Sequence, residues 1–231
     1  TAVHTPVTFN VSTVSQTYVN QSIPLNFIVT PQSSTNLNYQ MNYYVSGGEG
    51  KLVANNKDIT AGNFFDVNRG SFQYQFTPTI AGNYTLTFQL KDSNGQLVTK
   101  EVVVVVANNK FSFTPTPSQT VFVNEQNSFS YALVPTGNCA NTTYNLSYTI
   151  ESGQLGSIYQ DGTEVQQGIP VKGVPTAFKL VYKPTTVGEH KIKYIVTDSN
   201  GLSEEIIQTV NVVAADFNFT IDSGGNDSYN S

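Results

Sequence analysis

The chain repeats itself. The segment Phe76-Thr-Pro-Thr-Ile-Ala-Gly82-Asn-Tyr84 returns as Tyr182-Lys-Pro-Thr-Thr-Val-Gly188-Glu-His190, and the same offset of 106 residues carries Asp92-Ser-Asn-Gly95 onto Asp198-Ser-Asn-Gly201 without a gap. Upstream, Ser15-Gln-Thr17 matches Ser118-Gln-Thr120, and Tyr39, Met41, Tyr43 and Val45 match Tyr144, Leu146, Tyr148 and Ile150. A duplication over nearly the whole length requires a unit of about half the chain that closes its own core, because a repeat that folds alone must bury its own apolar face.

Inside each copy the apolar period is two. Leu25, Phe27 and Val29 alternate with polar residues, as do Phe129, Tyr131 and Leu133, then Tyr84, Leu86, Phe88 and Leu90 against His190, Ile192, Tyr194 and Val196. Side chains two apart share one face of a strand, so each run shows one apolar and one polar face, the pattern of antiparallel sheets covered on one side. No window carries the spacing of an amphipathic helix. Asp92-Ser-Asn-Gly95 and Asp198-Ser-Asn-Gly201 read as hairpin turns. These signals predict an all-β chain of two tandem immunoglobulin-like β-sandwich domains, with about seven or eight antiparallel strands each. The first is expected over residues 1–107 and the second over 108–214, with 215–231 as a tail or the start of a truncated third repeat. Phe217 and Phe219 repeat the opening Phe111-Ser-Phe113, so they also suit an extra strand on the second domain.

Charged residues are 12% of the chain and the formal net charge is −5. No segment is basic, which argues against nucleic acid as a partner. No apolar run is long enough to span a bilayer, so membrane insertion by this fragment is not expected. The chain begins at Thr1 and reads as a piece of a longer product whose signal or anchor lies upstream. Cys139, the only cysteine, precludes an intrachain disulfide and reads as a loop bystander, with a link between two chains after oxidation as the alternative.

The motifs Tyr39-x-Met-x-Tyr43, Gly47-Gly-Glu-Gly50, Phe72-x-Tyr-x-Phe76-Thr-Pro78 and Asp92-x-x-Gly-Gln96 resemble the TraQ-type domain of Bacteroidetes conjugative-transposon proteins, and more broadly bacterial extracytoplasmic immunoglobulin-like repeats. The resemblance spans both copies, although Gln154-Leu155 breaks the glycine-rich stretch in the second. It implies the fold and a place outside the cytoplasm, at the cell surface or in the periplasm. Those motifs are core and turn residues and specify no activity.

No catalytic, cofactor-binding or metal-binding set is expected. His4 and His190 stand in different copies, and Asp92-Asn94 and Asp198-Asn200 offer too few oxygens for calcium, so they read as turns. No serine or cysteine triad is apparent, so the chain is expected not to be an enzyme and to need no cofactor. The candidate interaction surface consists of Val103 and Val105, facing outward from the run Val102–Val106, together with Tyr44 and Tyr159. The loop Pro135–Thr143, longer in the second copy, is a further place for a ligand. The function expected is that of non-enzymatic extracytoplasmic spacer or adhesion modules of a bacterial envelope or surface protein. The alternatives are a module that binds a polysaccharide or a protein, or a structural component of a conjugation apparatus.

Overall fold

The structure is a computed structural model and describes residues 7–32 and 36–216. The expected third opening at Phe217 and Phe219, like His4, lies outside the described residues. The chain divides into two compact units, Thr1–Phe111 with Pro135–Asn141, and Ser112–Val134 with Thr142–Ser231. Every regular element among the described residues is a strand.

The first repeat contains β1 (Val7–Ser12), β2 (Gln16–Tyr18), β3 (Ile23–Pro31), β4 (Tyr39–Ser46), β5 (Gly50–Ala54), β6 (Lys57–Ile59), β7 (Phe65–Val67), β8 (Gly70–Pro78), β9 (Gly82–Asp92) and β10 (Leu97–Ala107). The second contains β11 (Lys110–Pro115), β12 (Thr120–Phe122), β13 (Asn127–Thr136), β14 (Tyr144–Ile150), β15 (Gly156–Gln160), β16 (Thr163–Val165), β17 (Val171–Lys172), β18 (Ala177–Pro184), β19 (Gly188–Asp198) and β20 (Ser203–Val213). Seven strands of each repeat have five residues or more, and the other three have two or three.

Each repeat has two five-stranded sheets. In the first the orders are β1-β3-β8-β5-β6 and β2-β10-β9-β4-β7; in the second they are β11-β13-β18-β15-β16 and β12-β20-β19-β14-β17. Neighbours that skip in sequence are the mark of Greek-key connections, and this division of strands is that of the immunoglobulin sandwich. The short strands β2 and β12 pair in parallel with β10 and β20.

The alternating residues face inward as their period requires. Leu25, Phe27, Val29, Phe76, Leu86, Phe88, Leu90, Val104 and Val106 are buried in one cluster. Phe27 stands edge-on to Phe88, with ring centroids 5.0 Å apart, and stacks on Phe72 at 5.2 Å. Such pairs each add about 0.5–1.5 kcal/mol beyond area burial, which offsets the lack of a core tryptophan and of a disulfide between the sheets. At the matching places the second repeat has Tyr131 and Tyr194, whose hydroxyls lie 2.6 Å apart, and Tyr131 also donates to Gln208 Oε1 at 2.7 Å.

The start of β9 shows why the glycines of Gly47-Gly-Glu-Gly50 are there. The Tyr84 hydroxyl donates to the carbonyl of Ile80 (2.8 Å) or of Glu49 (2.6 Å) and accepts from the Glu49 amide (3.0 Å). This is a tyrosine corner. A Cβ on Gly48 would overlap the Tyr84 ring, and one on Gly47, where φ is +77°, would strike the Asn83 carbonyl. In the second repeat His190 replaces the tyrosine. Its Nδ1 lies 2.5 Å from the Tyr182 hydroxyl, its Nε2 lies 3.1 Å from Thr186 Oγ1, and that hydroxyl accepts from the Leu155 amide at 3.1 Å. The smaller imidazole lifts the requirement for glycine, and Gln154 occupies the place of Gly48.

Candidate functional site

A cavity lies at one end of the first sandwich, where the β3–β4 loop, the β7–β8 connection and the β9–β10 turn meet. Its volume is about 800 Å³, and Tyr39, Gln40, Asp66, Val67, Arg69, Lys91 and Asp92 are among its lining residues. Each reaches this end for a local reason. Tyr39 opens β4 and pairs across the sheet with Val67 on one side and Asp92 on the other. Those three belong to the inward rows of their strands, at the point where the two sheets part. Gln40 pairs with Asp66 and with Lys91 in the next row, which faces the other side of the sheet.

Asp92 forms the turn. Its Oδ1 accepts from the amides of Asn94 and Gln96, both at 2.9 Å, while the Gly95 amide returns to the Asp92 carbonyl at 3.0 Å. Gly95 takes φ +85°, which an L side chain rarely adopts. The other carboxyl oxygen, Oδ2, is buried and makes no hydrogen bond, and the same is true of the Tyr39 hydroxyl and of Gln96 Oε1. Tyr39 and Asp92 are each 3% exposed. Burial pushes the Tyr39 phenol above its ordinary pKa, the Asp92 charge adds to the rise, and Arg69 opposes it. Tyr39 is therefore a neutral hydroxyl at ordinary pH. Buried polar atoms left unpaired are uncommon, and two of the three here belong to residues that line one cavity. At the rim, Gln40 Nε2 donates to Asp66 Oδ1 at 3.0 Å, and Lys91 Nζ lies 4.3 Å from the centre of the Phe64 ring.

The corresponding end of the second repeat is built differently. Lys172 stands opposite Asn145 where Asp66 stands opposite Gln40, and Thr197 replaces Lys91. Val174 is buried two residues after Lys172, at the place that Asn68 holds two residues after Asp66. The Ser199 amide donates to the Thr143 carbonyl at 2.9 Å and the Thr143 amide to Ser199 Oγ at 3.1 Å, which ties the loop down onto the turn. The turn itself is retained, with Asp198 Oδ1 accepting from Asn200 and Leu202.

The residues singled out from the sequence do not meet at this cavity. Val103 and Val105 point outward from β10, 61% and 43% exposed, beside Thr85 and Asn83 of β9. Tyr44 is on the same face two strands away and is 46% exposed, and its hydroxyl accepts from Asn42 Nδ2 at 3.0 Å. Tyr159 is half-buried on β15 of the second repeat, opposite Glu164 and Val181. The β13 strand runs on to Thr136, and the loop after it belongs, up to Asn141, to the first unit. Cys139 is half-buried there, with Sγ 3.6 Å from the Thr136 carbonyl. The sequence had marked Asp92 as a turn residue only. Tyr39 carried the signal of a core position, and Arg69 and Lys91 carried none.

Among the described residues no group of three or more His, Cys, Asp or Glu side chains is placed to hold a metal ion, and no helix is long and apolar enough to cross a membrane. No protein-family model and no curated protein matches the chain. Among solved structures it is similar to a conjugative transposon lipoprotein from Bacteroides eggerthii, at 15% identity and TM-score 0.40, over 43% of this chain and 96% of that one. It is also similar to a lipoprotein from Bacteroides thetaiotaomicron, at 14% identity and TM-score 0.41, over 46% of this chain and 83% of that one. A conjugate transposon protein from Bacteroides vulgatus matches at 14% identity and TM-score 0.40, over 46% of this chain and 88% of that one. Each likeness spans less than half of the chain, and at this distance it says nothing of what the chain does.

Proposed function

We propose that the chain is a non-enzymatic, extracytoplasmic adhesion module in which the first repeat takes a ligand at its loop end and the second serves as a spacer. The observation that carries this reading is the cavity of the first repeat, lined by Tyr39, Asp66, Arg69, Lys91 and Asp92, whereas at the corresponding end of the second repeat Val174 is buried and Thr143 is hydrogen-bonded to the Ser199 turn. In immunoglobulin sandwiches the loops of one end are free to vary while the sheets stay constant, which is where a duplicated unit can acquire a ligand in one copy. Asp66 and Asp92 do not make a glycosidase pair. They belong to rows that face opposite sides of the sheet, and Asp92 commits Oδ1 to its turn. The extracytoplasmic location rests on the likeness of the sequence motifs to extracytoplasmic immunoglobulin-like repeats.

The full chain, immobilised and offered arrays of defined glycans and peptides, should capture at least one class. The substitution Ser93→Trp, at an exposed position on the cavity rim, should abolish capture, and Lys179→Trp on the exposed face of β18 should not. Capture that survives Ser93→Trp would move the site elsewhere. Protease shaving tests the location: cleavage on intact source cells would place the chain at the surface, cleavage once the outer membrane is permeabilised would place it in the periplasm, and protection until the inner membrane is also broken would overturn the extracytoplasmic reading.

A second reading, an assembly contact on the outward face of β10, is favoured by the exposure of Val103 and Val105. Val103→Lys should then lower the oligomeric mass in sedimentation, whereas a monomer before and after the change removes that reading.

A further inference from the structure

The sheet ends are guarded unequally. An end strand offers a row of unpaired backbone N–H and C=O groups to any strand that comes alongside, and folded proteins blunt such rows with short strands, charged side chains or proline. The four sheets have eight end strands among the described residues, and six of these are only two or three residues long. Of the two that reach six residues, β11 carries Lys110 and closes on Pro115. The other, β1, reads Val7-Thr-Phe-Asn-Val-Ser12, with neither charge nor proline. It pairs with β3 along its whole length, and its other side has no strand partner among the described residues.

We propose that the open side of β1 pairs with β1 of a second copy of this chain, antiparallel about a two-fold axis at Phe9. A symmetric contact has to be complementary to itself. About Phe9, β1 meets that condition: Val7 comes to lie beside Val11 of the second copy, and Thr8 beside Asn10 of the second copy. Val7 and Val11 are half-buried in the inner row with Phe9, whereas Thr8 and Asn10 are exposed in the outer row. Apolar side chains therefore meet apolar ones, polar side chains meet polar ones, and no ionised group faces its own kind. On β11 the same pairing would meet Pro115, which has no N–H to give, and the Lys110 ammonium. The contact extends the sheet β1-β3-β8-β5-β6, so it is distinct from one at Val103 and Val105 on the other sheet. A pair of six-residue strands buries less than the roughly 1,200 Å² of a standard interface, which makes the dimer weak, with a dissociation constant on the order of 0.1 mM.

The test is sedimentation equilibrium of the full chain from about 10 µM to about 1 mM, with amide hydrogen exchange followed over the same range. The average mass should climb from that of one chain toward that of two. Amides on the open side of β1 should exchange about fivefold more slowly at the highest concentration, where about a fifth of the chains remain single. Thr8→Lys with Asn10→Lys sets lysines directly opposite one another on both sides of the axis and should hold the chain monomeric. Thr8→Glu with Asn10→Lys sets opposite charges in the same places and should restore the dimer. Both positions are exposed, so the fold itself should be unaffected.

A chain that stays monomeric over the whole range overturns the proposal. Protection of β1 that does not change with concentration also overturns it, since the edge would then be covered from within its own chain. A dimer that survives the paired lysines, or that the glutamate and lysine fail to restore, excludes this pairing. A dimer lost instead in Val103→Lys belongs to the face of β10, and the proposal falls.

Discussion

At the scale of single residues the two copies solve one corner in two ways. In the first, the Tyr84 hydroxyl closes onto Glu49 and Ile80. Tyr84→Phe strips partners from half-buried backbone groups, so it should destabilise the first repeat by about 1–3 kcal/mol in chemical denaturation. In the second, His190 lies between Tyr182 and Thr186, and burial holds its pKa below the ordinary value against the opposing effect of its hydrogen bond at Thr186. Between that lowered pKa and about 6.5 the unfolded chain binds more protons than the folded one. The stability that His190 confers is therefore complete above about pH 6.5 and is lost as the pH falls through the folded-state value. The second repeat should melt at a lower temperature at pH 5 than at pH 7.5. Transplanting the first repeat's corner, with His190→Tyr, Tyr182→Phe, Thr186→Ile and Gln154→Gly, should flatten that acid limb. An acid limb that persists in the transplant would place the titrating group elsewhere.

At the scale of elements, turn chemistry accounts for pairings that apolar periodicity missed. Asn55 and Asn56 join β5 to β6 with φ of +51° and +61°, and Asp161 and Gly162 do the same in the second copy with +49° and +79°. Two successive positive φ values mark the two-residue turn that suits hairpin twist. Asn56→Gly should leave stability unchanged or raise it, while Asn56→Val should lower it by about 1–2 kcal/mol, as read from the denaturation midpoint. The long strands were legible because Phe27, Phe88 and Val104 alternate with polar residues over enough length to show the period. The short strands β2, β6 and β7 were not, since three residues carry no period and their pairing is decided by what lies beside them. Val103 and Val104 make the contrast within one strand. Val103→Thr should change stability by less than about 0.5 kcal/mol and Val104→Ala should cost about 2 kcal/mol, because only the second leaves a gap in the core.

At the scale of the whole molecule, duplication has left one frame with two different fillings. Phe27, Phe88 and Val102 of the first repeat become Tyr131, Tyr194 and Gln208 in the second, where they form a buried hydrogen-bonded set that Gln208 Nε2 extends to the Thr116 carbonyl at 3.1 Å. Gln208→Val alone leaves one proton of the Tyr131–Tyr194 hydroxyl pair without an acceptor and should cost about 1–3 kcal/mol, whereas Tyr131→Phe, Tyr194→Phe and Gln208→Val together should be neutral or better. A single change no worse than the triple, in the same denaturation series, would show that the network contributes nothing. The duplication, the β class, the long strands and the Asp92 turn are all readable in the unfolded chain. Each is written in local spacing, and local spacing survives without a partner. Folding alone gathers Tyr39, Asp92, Arg69 and Lys91 around one cavity of the first repeat, while at the matching end of the second Val174 is buried and Ser199 accepts from the Thr143 amide. Those residues come from loops far apart in the chain, and the sheets between them set which loops meet.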